Sequence, residues 1–278
     1  MNYKKILTIQ DISCVGQCSL TVALPILSAC GVETCVLPSA VLSTHTAGFS
    51  GFTFRDLTDD MPGILSHWQK ENILFDAIYT GYLGSEKQID YVLDIFQKAS
   101  KEDTVTVVDP AMADNGKLYS IFDMKYVEAM KRLCQVADYI LPNITEACFL
   151  TGVEYRTQYD KVYIDEILSK LTLLGCKNIV LTGVSYQEGE TGVVLYENGE
   201  YSYFSHSLLP NSCHGTGDIY ASAFVGAFVR GKGAYQAAKI AADYTMECIK
   251  ETAKLDNHWY GAAFEPALGK LITLINEA

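Results

Sequence analysis

Asn211-Ser-Cys-His-Gly-Thr-Gly-Asp-Ile-Tyr-Ala-Ser-Ala-Phe-Val-Gly-Ala-Phe-Val-Arg-Gly231 sets a turn with two glycines and an acid directly against the start of an apolar helix. Gly215 and Gly217 permit backbone conformations closed to other residues and a close approach to a ligand. Successive N–H groups, among them that of Thr216, and the dipole of the following helix then face one point where negative charge can sit. Asp218 falls in the first helical turn, at that same point. A carboxylate there repels a resting phosphate, and the role that suits it is to take a proton from a hydroxyl attacking the phosphate. A lone Gly-Thr-Gly-Asp is also an ordinary helix start in which the acid complements the dipole. The rest of the chain decides between the two readings.

Working outward, strand-like and helix-like patterns alternate from one end to the other. Short apolar runs at Ile6 to Ile9, Ala77 to Tyr79, Thr104 to Val108 and Ile179 to Leu181 are continuous enough to be strands covered on both faces. Between them the pattern predicts helices over roughly 19–30, 60–71, 86–100, 122–135, 160–174, 215–230, 234–253 and 265–276, in the usual length range of about 8 to 20 residues. This order is the signature of an α/β protein with a central, mainly parallel sheet flanked by helices, whose ligands bind at the carboxyl ends of the strands. Residues 191–206 read instead as a hairpin, with Asn198-Gly199 as a tight primed turn. No linker, low-complexity tract or repeat interrupts the chain, so residues 1–278 are expected to form a single domain.

Each candidate functional segment follows a strand. Gln10-Asp11-Ile-Ser13-Cys-Val-Gly16 brings an acid and a hydroxyl to a turn, and Asp11 either accepts from a polar ligand or caps that turn. Ser43-Thr44-His45-Thr46-Ala-Gly48-Phe-Ser-Gly51 is either a lid or a polar connection. In Thr80-Gly81-Tyr82-Leu83-Gly84-Ser85 the Tyr82 ring stacks on a ligand or packs beneath the loop. Asp109 precedes Pro110 and should project from a strand end. Pro142-Asn143-Ile-Thr145-Glu146 outlines a capping box, yet Asp109 and Glu146 at neighbouring strand ends are also candidates to hold Mg²⁺ through water. Thr182 and Ser185 supply hydroxyls that suit nucleotide phosphates.

The 278 residues are 49% hydrophobic, enough for a large core. Acids outnumber bases by 33 to 21, for a formal charge of −12, which argues against nucleic acid or an anionic membrane as partner. The amino terminus lacks a signal-like apolar core, and no apolar run reaches the ~18 to 20 residues of a membrane span, so a cytoplasmic location is expected. Nine cysteines form no CxxC pair and no metal-ligand spacing, as befits buried thiols in a reducing compartment. Cys14, Cys18 and above all Cys213 lie near glycine turns.

Taken in order, Thr80 to Ser85, Asp109-Pro110-Ala111-Met112, Pro142 to Glu146 and Gly215 to Asp218 resemble the ribokinase-like superfamily, and within it the pyridoxal and pyridoxamine kinases and the hydroxymethylpyrimidine kinases. The resemblance covers nearly the whole chain and implies ATP bound in a shallow groove without a Walker A loop; the chain contains no GxxxxGK[ST]. It implies Asp218 as catalytic base, the Gly215 to Gly217 amides as anion hole, and Asn143 and Glu146 as ordering Mg²⁺ and phosphate. It further implies Asp109 beside the metal, Thr182 and Ser185 against the nucleotide, Thr46 and Tyr82 against the vitamer, K⁺ near the anion hole, and a homodimer. Two features depart from the pyridoxal pattern: an acid, Asp11, where serine is typical, and the Cys213-His214 flank, both closer to hydroxymethylpyrimidine kinases. Asp218, in turn, stands where those enzymes commonly carry cysteine. The expected reaction is transfer of the ATP γ-phosphoryl group to the 5′-hydroxymethyl of a B6 vitamer. The alternatives are a hydroxymethylpyrimidine kinase, a noncatalytic vitamer-binding protein, and a sugar or nucleoside kinase.

Overall fold

In chain order the elements are β1 (Lys5–Ser13), α1 (Leu20–Ala29), β2 (Glu33–Leu42), β3 (Phe54–Asp56), α2 (Met61–Lys70), β4 (Phe75–Thr80), α3 (Glu86–Lys98), β5 (Ser100–Val108), β6 (Ala113–Asp114) and β7 (Lys117–Leu118). Then come α4 (Met124–Val136), β8 (Tyr139–Ile140), α5 (Ile144–Thr151), α6 (Lys161–Leu174), β9 (Asn178–Val184), β10 (Glu190–Glu197), β11 (Glu200–Ser207), α7 (Thr216–Val229), α8 (Ala234–Thr252) and α9 (Leu268–Glu277). They are those of a computed structural model that describes residues 3–209 and 213–277. Asn211 and Ser212, which open the diagnostic stretch, lie outside the described residues, as do Met1 and Asn2 of the amino terminus.

A nine-stranded sheet runs in the order β11-β10-β9-β8-β5-β4-β1-β2-β3. Its centre, from β2 through β1, β4, β5 and β8 to β9, is parallel throughout. Among the described residues, the antiparallel strands of this sheet lie towards its two edges. Because side chains alternate across a strand, each central strand feeds two cores. Leu7, Ile9, Ile78, Val108, Ile140 and Leu181 pack under α2 to α6. Ile6, Ala77, Tyr79, Val107, Tyr139 and Val180 pack under α1, α7, α8 and α9. Burying such side chains is worth about 1.5–3 kcal/mol each, and a one-residue slip would exchange the two faces. Register is therefore set by the whole sheet.

The apolar runs are the cores of longer strands. β1 continues to Ser13, so Asp11 lies on the strand and not in the turn beyond it. The pairing of β1 with β2 slips between Gln10 and Ile12, which places Asp11 at the irregularity. Thr182 likewise lies within β9. The 191–206 hairpin forms as expected, with Asn198 and Gly199 both at positive φ, 54° and 85°, as a primed turn requires. β3 and the small β6–β7 hairpin carry too few residues to show a period and have no counterpart in the sequence reading. The C-terminal segment starts as a single tighter turn at Glu265–Ala267 before α9. Among the described residues no helix is long and apolar enough to cross a membrane.

Candidate active site

The carboxyl ends of β1, β4 and β5 bring Asp11, Tyr79 and Asp109 within electrostatic reach of Asp218 in the first turn of α7. Gly215 is the N-cap of α7 at φ 78°. A side chain there would be strained, and its Cβ would run into the Gln17 carbonyl. Gly217 behaves differently from the sequence expectation: it sits inside the helix without a positive φ, with open space where a Cβ would be. Only Gly215 needs the unusual backbone, and Gly217 leaves room for a ligand. α7 has no side-chain cap, and helix geometry leaves its first amides, including those of Thr216 and Gly217, without intrahelical partners. The Thr216 hydroxyl turns back to the Cys213 carbonyl at 3.4 Å.

Asp218 accepts the backbone N–H of Ser19 at 3.0 Å. Ser19 itself is held at φ 54° where the chain enters α1. Asp218 keeps a partial opening to solvent, but the surrounding packing raises its carboxyl to about 6. Desolvation is the main cause, the Ser19 bond opposes it, and the Asp11 charge adds to it.

Asp109 follows β5 directly. Its N–H donates to the Thr80 carbonyl at 2.9 Å, and its carboxylate accepts the Ala111 N–H at 3.1 Å. Burial, then the charges of Glu146 and Asp218, push it well above the usual carboxylate range. Glu146 is 3% exposed and closes a complete capping box with Asn143. Its two oxygens accept from Asn143 and Met112 at 2.9 and 3.0 Å. The Asn143 amide donates to the Ala113 carbonyl at 2.9 Å, so both ends of that side chain are committed to the fold. Burial raises Glu146 as well. Three acids that repel one another out of water suit a cation and its phosphate ligands. Among the described residues no group of three or more His, Cys, Asp or Glu is arranged to hold a metal alone. Asp109 and Glu146 would have to share the ion with phosphate oxygens and water.

On the neighbouring strand end, Thr182 bridges to Asn143, and its N–H donates to Pro142 at 2.9 Å. The Ser185 hydroxyl is turned onto the Gln187 carbonyl at 2.9 Å, and its N–H donates to the Tyr159 hydroxyl. Asp11 is 5% exposed and accepts the Ser13 hydroxyl at 3.1 Å; burial raises its carboxyl, against the Ser19 and Ser13 bonds. Tyr82 is half-buried and lies 5.7 Å from Phe122 between ring centroids. Thr46 is exposed on its loop, whereas its neighbour His45 is buried, at 4% exposure.

Cys213 is half-buried against the α7 core. Cys18 is the thiol that faces the acids: burial and the charges of Asp218 and Asp11 push it far up, so it stays protonated. One residue escaped the sequence reading. Burial and then the charges of Glu146, Asp109, Asp114 and Asp218 push the Tyr119 hydroxyl far up, and its ring, partly exposed, begins an aromatic run through Phe122 to Tyr126. The spacing 119, 122, 126 was the available signal.

A family model described as phosphomethylpyrimidine kinase matches residues 27–262. A Bacteroides thetaiotaomicron protein provisionally called a phosphomethylpyrimidine kinase, solved with pyridoxal, is 37% identical, with a TM-score of 0.91 over 97% of this chain and 96% of that one. Pyridoxal kinase from Lactobacillus plantarum is 31% identical, with a TM-score of 0.90 over 99% and 98%. Pyridoxal kinase of Dictyostelium discoideum is 29% identical over 81% of this chain and 78% of its own.

Proposed function

The chain belongs to the phosphomethylpyrimidine kinase family, and we propose that it transfers the γ-phosphoryl group of ATP to the 5′-hydroxymethyl group of a B6 vitamer. It is a phosphotransferase with an alcohol acceptor. The observation that carries the reading is Asp218, held by Ser19 at the mouth of α7 with its carboxyl raised to about 6. A base so tuned takes the acceptor proton near neutral pH and is not held protonated there. The helix-start amides from Gly215 to Gly217 face the charge that develops on the transferring group. Mg²⁺, held by Asp109 and Glu146, would offset phosphate charge, with a monovalent cation such as K⁺ near the same helix start. Thr182, Ser185 and Asn143 border the nucleotide side; Asp11, Tyr82 and Thr46 border the acceptor.

One observation favours a second reading. The buried carboxyl of Asp11 suits a ring bearing donors, such as hydroxymethylaminopyrimidine, as well as it suits pyridoxamine or pyridoxine. A coupled assay of ADP release with pyridoxal, pyridoxamine, pyridoxine and the aminopyrimidine separates the two. The largest kcat/KM for a B6 vitamer supports the proposal; a preference for the aminopyrimidine, or tight binding without ADP release, overturns it. Nine free cysteines fit a cytoplasmic enzyme, and a homodimer is the assembly we expect.

A further inference from the structure

His45 is hydrogen-bonded both to the segment beyond α8, at Tyr260, and to the loop before α1, at Val15. Its ring Nε2 lies 2.7 Å from the Tyr260 carbonyl, and its Nδ1 faces the Ala47 N–H at 3.2 Å. A carbonyl can only accept and an N–H can only donate, so these partners fix the neutral tautomer with the proton on Nε2. The same Tyr260 carbonyl also accepts the Gln17 N–H at 3.3 Å, while the His45 N–H donates to the Val15 carbonyl at 3.3 Å. The ring lies where a side chain on Gly16 would be, packs edge-on to Phe49 at 5.0 Å, and sits 5.9 Å from the His214 ring.

The segment beyond α8 completes the connection. Gly261 bridges to Gln17, the Ala262 N–H donates to the His214 carbonyl at 3.0 Å, and Trp259 packs on Phe49 at 4.7 Å. Gln17 in turn presses its carbonyl against Gly215. The 43–53 loop bearing Thr46, the 14–19 loop bearing Ser19, and the turn bearing Gly215 are thus all tied to residues 259–262.

We propose that His45 is a positioning residue: through Tyr260 it fastens the acceptor loop to the helix start of α7, so that the acceptor hydroxyl and the anion hole keep one geometry. It need not touch the substrate. The inference rests on the kinase reading only for its effect on turnover; the clamp itself is a property of the unliganded fold.

The test uses His45→Phe, which keeps an aromatic ring against Phe49 but loses both ring hydrogen bonds, and His45→Gln, whose amide can donate to Tyr260 and accept from Ala47. In the unliganded protein, His45→Phe should raise hydrogen exchange about tenfold in both 43–53 and 257–263, the scale of two lost hydrogen bonds, with the β1 and β4 amides unchanged. With wild-type enzyme and its best acceptor as reference, it should raise the acceptor KM about tenfold and leave the ATP KM unchanged. His45→Gln should restore a large part of both. Unchanged exchange in either segment, equal rises in the two KM values, or no rescue by glutamine would each overturn the inference. If the wild type phosphorylates no acceptor, the kinase reading falls and the exchange measurement alone decides the clamp. If His45→Phe does not fold, His45→Gln against wild type decides it: exchange and acceptor KM within twofold of wild type support the clamp, and larger changes without that pattern refute it.

Discussion

The backbone N–H of Ser19 donates to the carboxylate of Asp218 at 3.0 Å, joining residues 199 positions apart in the chain. The amino end of α1 thereby aims the acid in the first turn of α7, and the proposed base is oriented before any substrate arrives. A bond to the charged form also keeps desolvation from raising Asp218 further.

Asp218→Asn should fold, bind ATP and lose about 10² to 10⁴ in kcat, the usual cost of a positioned base. The amide copies the shape of the carboxylate and cannot take the proton. A variant that keeps a third or so of wild-type kcat would remove Asp218 from the mechanism.

The pH dependence of rate and of stability should run in opposite directions. With Asp218 as the proposed base, kcat should fall as pH drops through about 6. Stability responds the other way. A carboxyl whose folded pKa is raised binds more protons folded than unfolded, so its contribution is present at low pH and declines as pH climbs from the ordinary range near 4 through the folded value. Asp11, Asp109 and Glu146 are raised too and add to the decline. Thermal unfolding of the unliganded protein should therefore give a lower Tm at pH 8 than at pH 5.5, with a smaller difference in Asp218→Asn. An equal pH dependence in the two proteins would refute the assigned shift.

Gly215→Ala and Gly217→Ala should differ. The first meets a positive φ and the Gln17 carbonyl and should lose about 1–3 kcal/mol, the cost of a side chain in a strained backbone conformation. The second has open space and ordinary helical backbone, so stability should hold while the ATP KM rises. Denaturant unfolding together with ATP titration of both variants decides it; equal stability losses would contradict the assigned geometry.

Asp11→Ser should move acceptor preference towards pyridoxal by about tenfold in relative kcat/KM, since charge-assisted hydrogen bonds are worth roughly 1.5 to 3 kcal/mol. The KM for ATP should stay nearly constant. Because the Asp11 charge raises Asp218, the acid limb of the kcat profile should also shift to lower pH. Losses shared equally by every acceptor, with the limb unmoved, would assign Asp11 to the fold alone.

Glu146→Gln should raise the Mg²⁺ concentration needed for half-maximal rate. It also replaces one of two oxygens that accept backbone N–H groups with a donor, so a stability loss of about 1–3 kcal/mol is expected beside it. Unchanged Mg²⁺ dependence with the stability loss present would reduce Glu146 to its capping role.

Much of this protein was written locally. Strand cores, helix spans, the Asn198-Gly199 turn, the Asn143–Glu146 box and the helix start at Gly215 each depend on residues within a few positions of one another, where period, turn chemistry and capping act directly. Other features depend on contacts between distant segments and left no local mark. Gly215 and Gly217 look alike in sequence, and only the positive φ and the Gln17 carbonyl that the fold imposes make the first obligatory. His45 is one loop histidine among polar neighbours until Tyr260 arrives from more than two hundred residues away to bury it and fix its proton. Asn143 and Ser185 carry the residue types of ligand contacts, but neighbouring carbonyls take up their side chains. Asp11, Asp109, Glu146 and Asp218 are ordinary carboxylates by composition. Their shifted ionisation follows from the sheet order and the α7 packing that limit water around all four, because desolvation and mutual repulsion belong to the assembled fold and to no single segment.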